Sequence, residues 1–267
     1  MKRSTRRRLT QGILYAVLAL AVVLVALAAD PTAIRANFFA GAGWGSGGNW
    51  YDLITTGAKN TVIYTVIAFA GGLALAFVLA LMKLSPVAPY RWLATAYIEL
   101  FRGLPALLVI IFMAFGVPIA FNGWTPPGGI IGSGLLALIL VSSAYMAETL
   151  RAGIQAVPKG QDEAARSLGM SPVATMFSIT LPQAVRIVIP PLTNEFVLLI
   201  KDTALLSVAG AQIGQREITT VARDYFSSGP TTGTATSLVQ AAILYLIITL
   251  PLTRLVAWLE SRQRRAR

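Results

Sequence analysis

The chain has 267 residues, 55% of them hydrophobic and only 12% charged, which makes it far more apolar than a soluble domain of that length. It contains no His and no Cys, which excludes disulfides and thiol chemistry and removes the usual zinc and copper ligands together with the commonest general base. The net charge of +11 gathers at the ends of apolar runs, a pattern of membrane topology and not of nucleic-acid binding.

In chain order, apolar segments run from Gly12 to Ala29, Thr61 to Leu84, Leu104 to Phe121, Gly129 to Leu150, Val185 to Ile200 and Leu238 to Leu259. Most approach the roughly 20 residues that a membrane span requires; the segment from 185 to 200 is the shortest and the least secure as a free-standing helix. The expected fold class is therefore an all-α integral membrane protein with about six transmembrane helices. With the N-terminus inside, seventeen Lys and Arg fall on the inner side and only Arg35, Lys59, Lys201, Arg216 and Arg223 on the outer side. The positive-inside rule then puts both termini, and the connection from Arg151 to Arg186, in the cytoplasm.

Residues 1–50 read as a basic cytoplasmic tail, a first span and an external Gly-rich linker, Gly41 to Gly48, flanked by Trp44 and Trp50 as interfacial aromatics. A cleaved signal peptide ending near Ala26-Leu27-Ala28, with a faint twin-arginine pattern, is the alternative for the first segment. Its apolar run exceeds the roughly 7 to 15 residues of a signal core, which favours retention, and cleavage would leave the remaining topology unchanged. Residues 51–260 form the main membrane domain, and 261–267 a basic cytoplasmic tail drawn to anionic lipid.

The inner connection has a readable local structure. Gly160 is suited to cap a short helix whose first turn holds Asp162 and Glu163, where unpaired amides and the helix dipole favour carboxylates. Ala164, Ala165 and Leu168 offer a small apolar contact face. Gly169 suits a left-handed stop, and Ser171 with Pro172 suits the cap and first position of the next helix. A bland alternative is an interfacial hairpin that merely links two spans.

Glu195 lies inside an apolar segment, where an ionisable side chain costs at least about 2.5 kcal/mol at a helix centre and so normally faces a polar cavity or a partner. Pro190-Pro191 is expected to break the helix just before it and to free carbonyls for a cavity. Lys201 and Asp202 follow, so that both signs of charge are at hand for an ammonium and a carboxylate; an internal Glu-Lys or Lys-Asp pair is the structural alternative. Glu99 and Arg102 have the same ambiguity. Ser142, Ser143 and Tyr145 read as helix packing more than as pathway.

Glu163-Ala164-Ala165, Gly169, Ile179, Leu181 and Pro182 together resemble the EAA loop of bacterial ATP-binding-cassette (ABC) importers. Glu99-Leu100-Phe101-Arg102-Gly103-Leu104-Pro105 resembles the E-x-F-R-G-T-P segment of the polar amino acid permease family, with Leu104 where Thr is usual. Asn194-Glu195-Phe196 and Lys201-Asp202-Thr203-Ala204-Leu205 are similar to its N-E-F…K-[DN]-[ST]-[SA]-L segment. The resemblance covers roughly Tyr51 to Glu260. It implies a permease subunit of a binding-protein-dependent importer for a polar amino acid in the bacterial cytoplasmic membrane. Gly160, Asp162, Glu163, Ala164, Ala165, Leu168 and Gly169 would couple it to two separate ABC ATPase subunits, which bind ATP and Mg. An extracytoplasmic amino-acid-binding protein and a second permease copy or a related permease complete the machine. Asn194, Glu195, Lys201, Asp202, Thr203 and Arg102 would lie on the substrate pathway.

No G-x-x-x-x-G-K-[ST] sequence occurs, so the chain has no phosphate-cradling loop and is expected to be neither the ATPase nor any other enzyme, with no cofactor or metal of its own. Within the same class an opine or cystine is an alternative substrate. Outside it, an ion-gradient-driven secondary transporter would use Glu195 and Asp202 as proton or sodium sites. A membrane enzyme or scaffold has no acid–base pair at catalytic spacing to support it.

Overall fold

The structure, a computed structural model, describes residues 3–39, 41–44, 49–229 and 231–265. Among the described residues it is helical without strands. Helix α1 (Arg3–Ala28) is followed by α2 (Pro31–Phe38), which Asp30 caps by accepting from the Thr32 and Ala33 amides. The Thr32 hydroxyl, followed by those two amides, holds the Asp30 carboxyl below its ordinary 3.8. In the expected linker, Gly41–Trp44 forms one helical turn, with Trp44 against Phe39 and Trp50. Residues 45–48 of that linker lie outside the described residues, as do Lys2 and Arg267 of the basic tails.

The membrane domain consists of α3 (Trp50–Leu84), α4 (Ala88–Gly103), α5 (Ala106–Ala120), α6 (Gly129–Gln155), α7 (Lys159–Ser167), α8 (Pro172–Val208), α9 (Ile218–Ser227) and α10 (Thr236–Arg265). Helices α3, α6, α8 and α10 are each long and apolar enough to cross a membrane, and α4 with α5 makes one broken span bent by 103°. The expected segment Leu104 to Phe121 is thus only half of a span. The bend has a local cause: Leu104 precedes Pro105 and is extended, at φ −96° and ψ 140°. With α1, whose apolar stretch Gln11–Val25 is shorter, this accounts for the six apolar segments.

The segment from 185 to 200, the least secure in sequence, becomes the middle of the 37-residue α8. Pro190 and Pro191 do not interrupt it: the helix is continuous from Leu181 to Asp202, which corrects the expected break. Each proline removes one donor from the helical ladder. Burial of Val188, Pro190 and Val197 keeps the flanking turns in place, and Val188 packs with Ala147 and Leu150 of α6.

The core is built by close approach of α3, α6 and α8. A Cβ on Gly72 of α3 would come within 2.5 Å of Ser142 Oγ, and one on Gly153 of α6 within 2.0 Å of Val188 Cγ1 on α8. Tyr64, Ile110, Leu138, Leu199 and Leu206 form one cluster, and Ala76, Ile98, Met146, Leu150 and Val188 another. At the end away from α7, a polar network ties the chain together. Asn49 donates to Thr231 and Gln240 at 3.0 Å each, and Gln240 donates to the Gly43 carbonyl at 2.7 Å. The Tyr225 hydroxyl, pushed up to about 12 by burial and by its 2.7 Å bond to Asp52, belongs to the same end. There Glu217 caps α9, accepting from the Thr219 and Thr220 amides at 2.6 Å; burial raises its carboxyl above the ordinary 4.5 despite these bonds.

Candidate functional site

Two features gather the chemistry of this chain. The first is a cavity of about 300 Å³ walled by the α4–α5 bend, the middle of α6 and the C-terminal half of α8. Glu195 and Asp202 both line it, because residues seven apart fall on one face of a helix after two turns. Leu104 and Ala106 bring the bend to it, and Ser142 and Tyr145 contribute hydroxyls from α6. Among the described residues, no hydrogen bond or salt bridge reaches either carboxylate.

The cavity therefore differs from the mixed-charge site expected from the sequence. Lys201 is exposed and makes no salt bridge to Glu195 or Asp202, although its charge still acts on Asp202. Asn194 is exposed and outside the lining, while Thr203 is buried and donates to the Ile200 carbonyl at 2.7 Å. Arg102 comes nearer: its guanidinium lies 5.6 Å from the centre of the Tyr145 ring, and the Tyr145 hydroxyl reaches the Arg102 carbonyl at 3.5 Å. Glu99 is exposed and makes no salt bridge to Arg102. Ser142 and Tyr145 line the cavity where packing was the favoured reading, whereas Ser143 is buried beside the Tyr97 hydroxyl at 2.9 Å. A larger cavity of about 920 Å³ lies between α3 and α8, lined by Phe69, Leu73, Phe77, Ile189 and Phe196 among others. It presents almost no polar group to an ionic solute.

The second feature is the α7 loop. Its helix opens at Pro158, which stands in extended conformation at the cap position and accepts from the Gln161 amide at 3.0 Å. Gly160 lies inside the first turn and is not the cap, since proline already supplies the extended entry and its carbonyl. Asp162 and Glu163 occupy the first turns as expected. Gly169 has φ +86°; its amide bonds Arg166 and the Met170 amide bonds Ala165, the paired bonds of a left-handed helix stop. Ser171 Oγ accepts from the Ala174 amide at 3.2 Å, and Pro172 opens α8.

The expected contact face is corrected at one residue. Ala165 is buried against its own protein, while Ala164 and Leu168, four residues apart, share the outward face with Leu168 86% exposed. Sequence reasoning also missed a charge cluster at the foot of the loop. Lys83 of α3 donates to Glu148 Oε1, and Arg151 donates to Glu148 Oε2 through Nε at 3.0 Å and Nη2 at 2.8 Å. Arg151 Nη1 reaches Gln155 Oε1 at 2.6 Å. Lys83 precedes Glu148 by 65 residues, so only the fold could reveal the pairing.

Residues 72–265 match the family described as the binding-protein-dependent transport system inner membrane component. The probable glutamine ABC transporter permease protein GlnM of Bacillus subtilis is 39% identical over 79% of this chain and 94% of its own length. The glutamate/aspartate import permease protein GltK of Escherichia coli is 33% identical over 76% and 89% respectively. A crystal structure of an amino acid ABC transporter with histidines superposes with TM-score 0.70 at 35% identity, covering 80% of this chain and 95% of that one. None of these relatives supports an ion-gradient-driven carrier. With the helical membrane fold, the α7 loop and this likeness together, the chain belongs to the binding-protein-dependent transport system inner membrane component family and is a multi-pass ABC permease subunit.

Proposed function

We propose that this permease imports a polar amino acid across the bacterial cytoplasmic membrane, with the α7 end and both termini inside. The placement of Lys and Arg supports that orientation. The observation that carries the proposal is the short α7 helix, stopped sharply at Gly169 and presenting Ala164 and Leu168 outward. Such a short lever fits a cleft on one of two separate ATPase subunits, which hold ATP and Mg, and the second permease's lever fits the other. An extracytoplasmic amino-acid-binding protein delivers the solute, a second permease copy or related permease completes the membrane unit, and this chain breaks no bond of its own.

The connection from lever to cavity runs through two continuous helices. Helix α7 follows α6 after three residues and precedes α8 by four, and those two helices carry Ser142, Tyr145, Glu195 and Asp202. A displacement of α7 thus acts directly on two walls of the cavity, about 35 Å along α8 from its start to Glu195. The unpaired carboxylates favour the solute's ammonium, and the Arg102–Tyr145 edge favours its carboxylate.

The test is purification of the tagged chain from its native membrane in mild detergent, with mass spectrometry of what accompanies it. A P-loop ATPase is expected to copurify and to be lost with Gly169→Asp, which puts a charge at the exposed left-handed stop. Retention of the ATPase and of normal uptake by the variant would reduce the loop to a connector.

A further inference from the structure

The Lys83–Glu148–Arg151–Gln155 cluster lies where α3 and α6 end, and α6 leads into α7 after three residues. Glu148 uses its two oxygens in two directions: Oε1 takes the cation of a different spanning helix, and Oε2 takes the guanidinium one turn further along its own. Arg151 then passes to Gln155, the last residue of α6. The three charged side chains are only 18 to 29% exposed, so solvent screens them less than a surface pair and an unmatched partner there is costly.

Beneath this cluster the same helix ends share a small apolar core. Ile154 of α6, Val157 of the connection and Ala184 of α8 are buried together, with Leu84, the last residue of α3, packed on them. Gly153 lets α6 close on Val188 of α8. Helices α6 and α8 are joined to α7 by the chain itself, but α3 is not; its attachment there is non-covalent.

We propose that Glu148 is a positioning residue for coupling: by binding Lys83 it makes the inner end of α3 move with α6, so that a stroke received at α7 displaces three spans as one body. This rests on the reading of α7 as the ATPase docking surface. Without the bridge the ATPase still docks, because α7 and its caps are untouched, but part of the stroke is lost at the inner end of α3, beyond the Gly72 and Ala76 packing that holds its middle to α6.

The test uses the whole complex in proteoliposomes, with a radiolabelled mixture of polar L-amino acids as the probe, and measures solute accumulated per ATP hydrolysed. Glu148→Gln and Lys83→Met are each expected to keep the ATPase on purification and to lower solute per ATP about tenfold. The double variant is expected to fall no further than Glu148→Gln alone, since that change already breaks the Lys83 bridge together with the Arg151 pair. Lys83→Arg, which keeps the cation, is expected to stay near the parent. Unchanged solute per ATP in both single variants would overturn the proposal, as would losses that add in the double variant or failure of both singles to assemble. Retention of ATPase and uptake by Gly169→Asp would instead sink the docking reading, whatever the Glu148 variants do.

Discussion

Glu195 was legible because a carboxylate in an apolar run has few affordable environments. Its neighbours were not, because proximity in sequence is a poor guide to proximity on a helix. At about 100° per residue, Asp202 stands only about 20° from Glu195 around the axis, while Lys201 stands about 120° away and Asn194 about 100°. The structure accordingly turns Asp202 to the cavity and leaves Lys201 and Asn194 exposed. Glu195→Gln removes a charge from the wall and is expected to weaken the half-saturation of substrate-stimulated ATP hydrolysis roughly ten- to a hundredfold, the value of one charge-assisted hydrogen bond. Assembly should be unaffected. A variant altered only in expression would assign Glu195 to internal packing.

At the scale of elements, α7 and its two flanking turns were the most legible part of the chain. Gly169 and Ser171-Pro172 act through backbone geometry within a few residues, and the structure reproduces both. Pro190-Pro191 misled for the opposite reason, since the cost of two lost donors is local but burial along α8 comes from other helices. The same dependence makes Gly153 testable. Gly153→Ala would drive a methyl into Val188 and force α6 from α8, at a cost of about 1–3 kcal/mol for overpacking. A lower melting temperature in detergent is expected, whereas Gly160→Ala, with nothing within 4 Å of the new methyl, should melt like the parent or slightly higher. Equal melting of Gly153→Ala and the parent would mean that this approach is loose.

At the scale of the molecule, the N-terminal helix stands apart from the rest. Every large apolar side chain from Ile13 to Leu27 is more than half exposed, and the family match begins only at residue 72. The polar ties at the end away from α7 reach back to Asn37 and Gly43. A protease site inserted between Ala29 and Asp30, cut after assembly, should therefore leave the melting temperature and transport unchanged. A drop in either would reveal a packing role for α1 in the complex.

The sequence alone determined the solvent of this protein, its helical class and the loop between α6 and α8, and it supplied the expected direction of the spans. Those follow from apolar run length, from where cations lie along the chain, and from caps that act over one turn. Only the tertiary structure decided which charges share a cavity, that Glu148 answers Lys83 across 65 residues, and how α3, α6 and α8 close at Gly72 and Gly153. The physical reason is that these depend on the rotation of each helix about its axis, and that rotation is set by packing against neighbours distant in the chain.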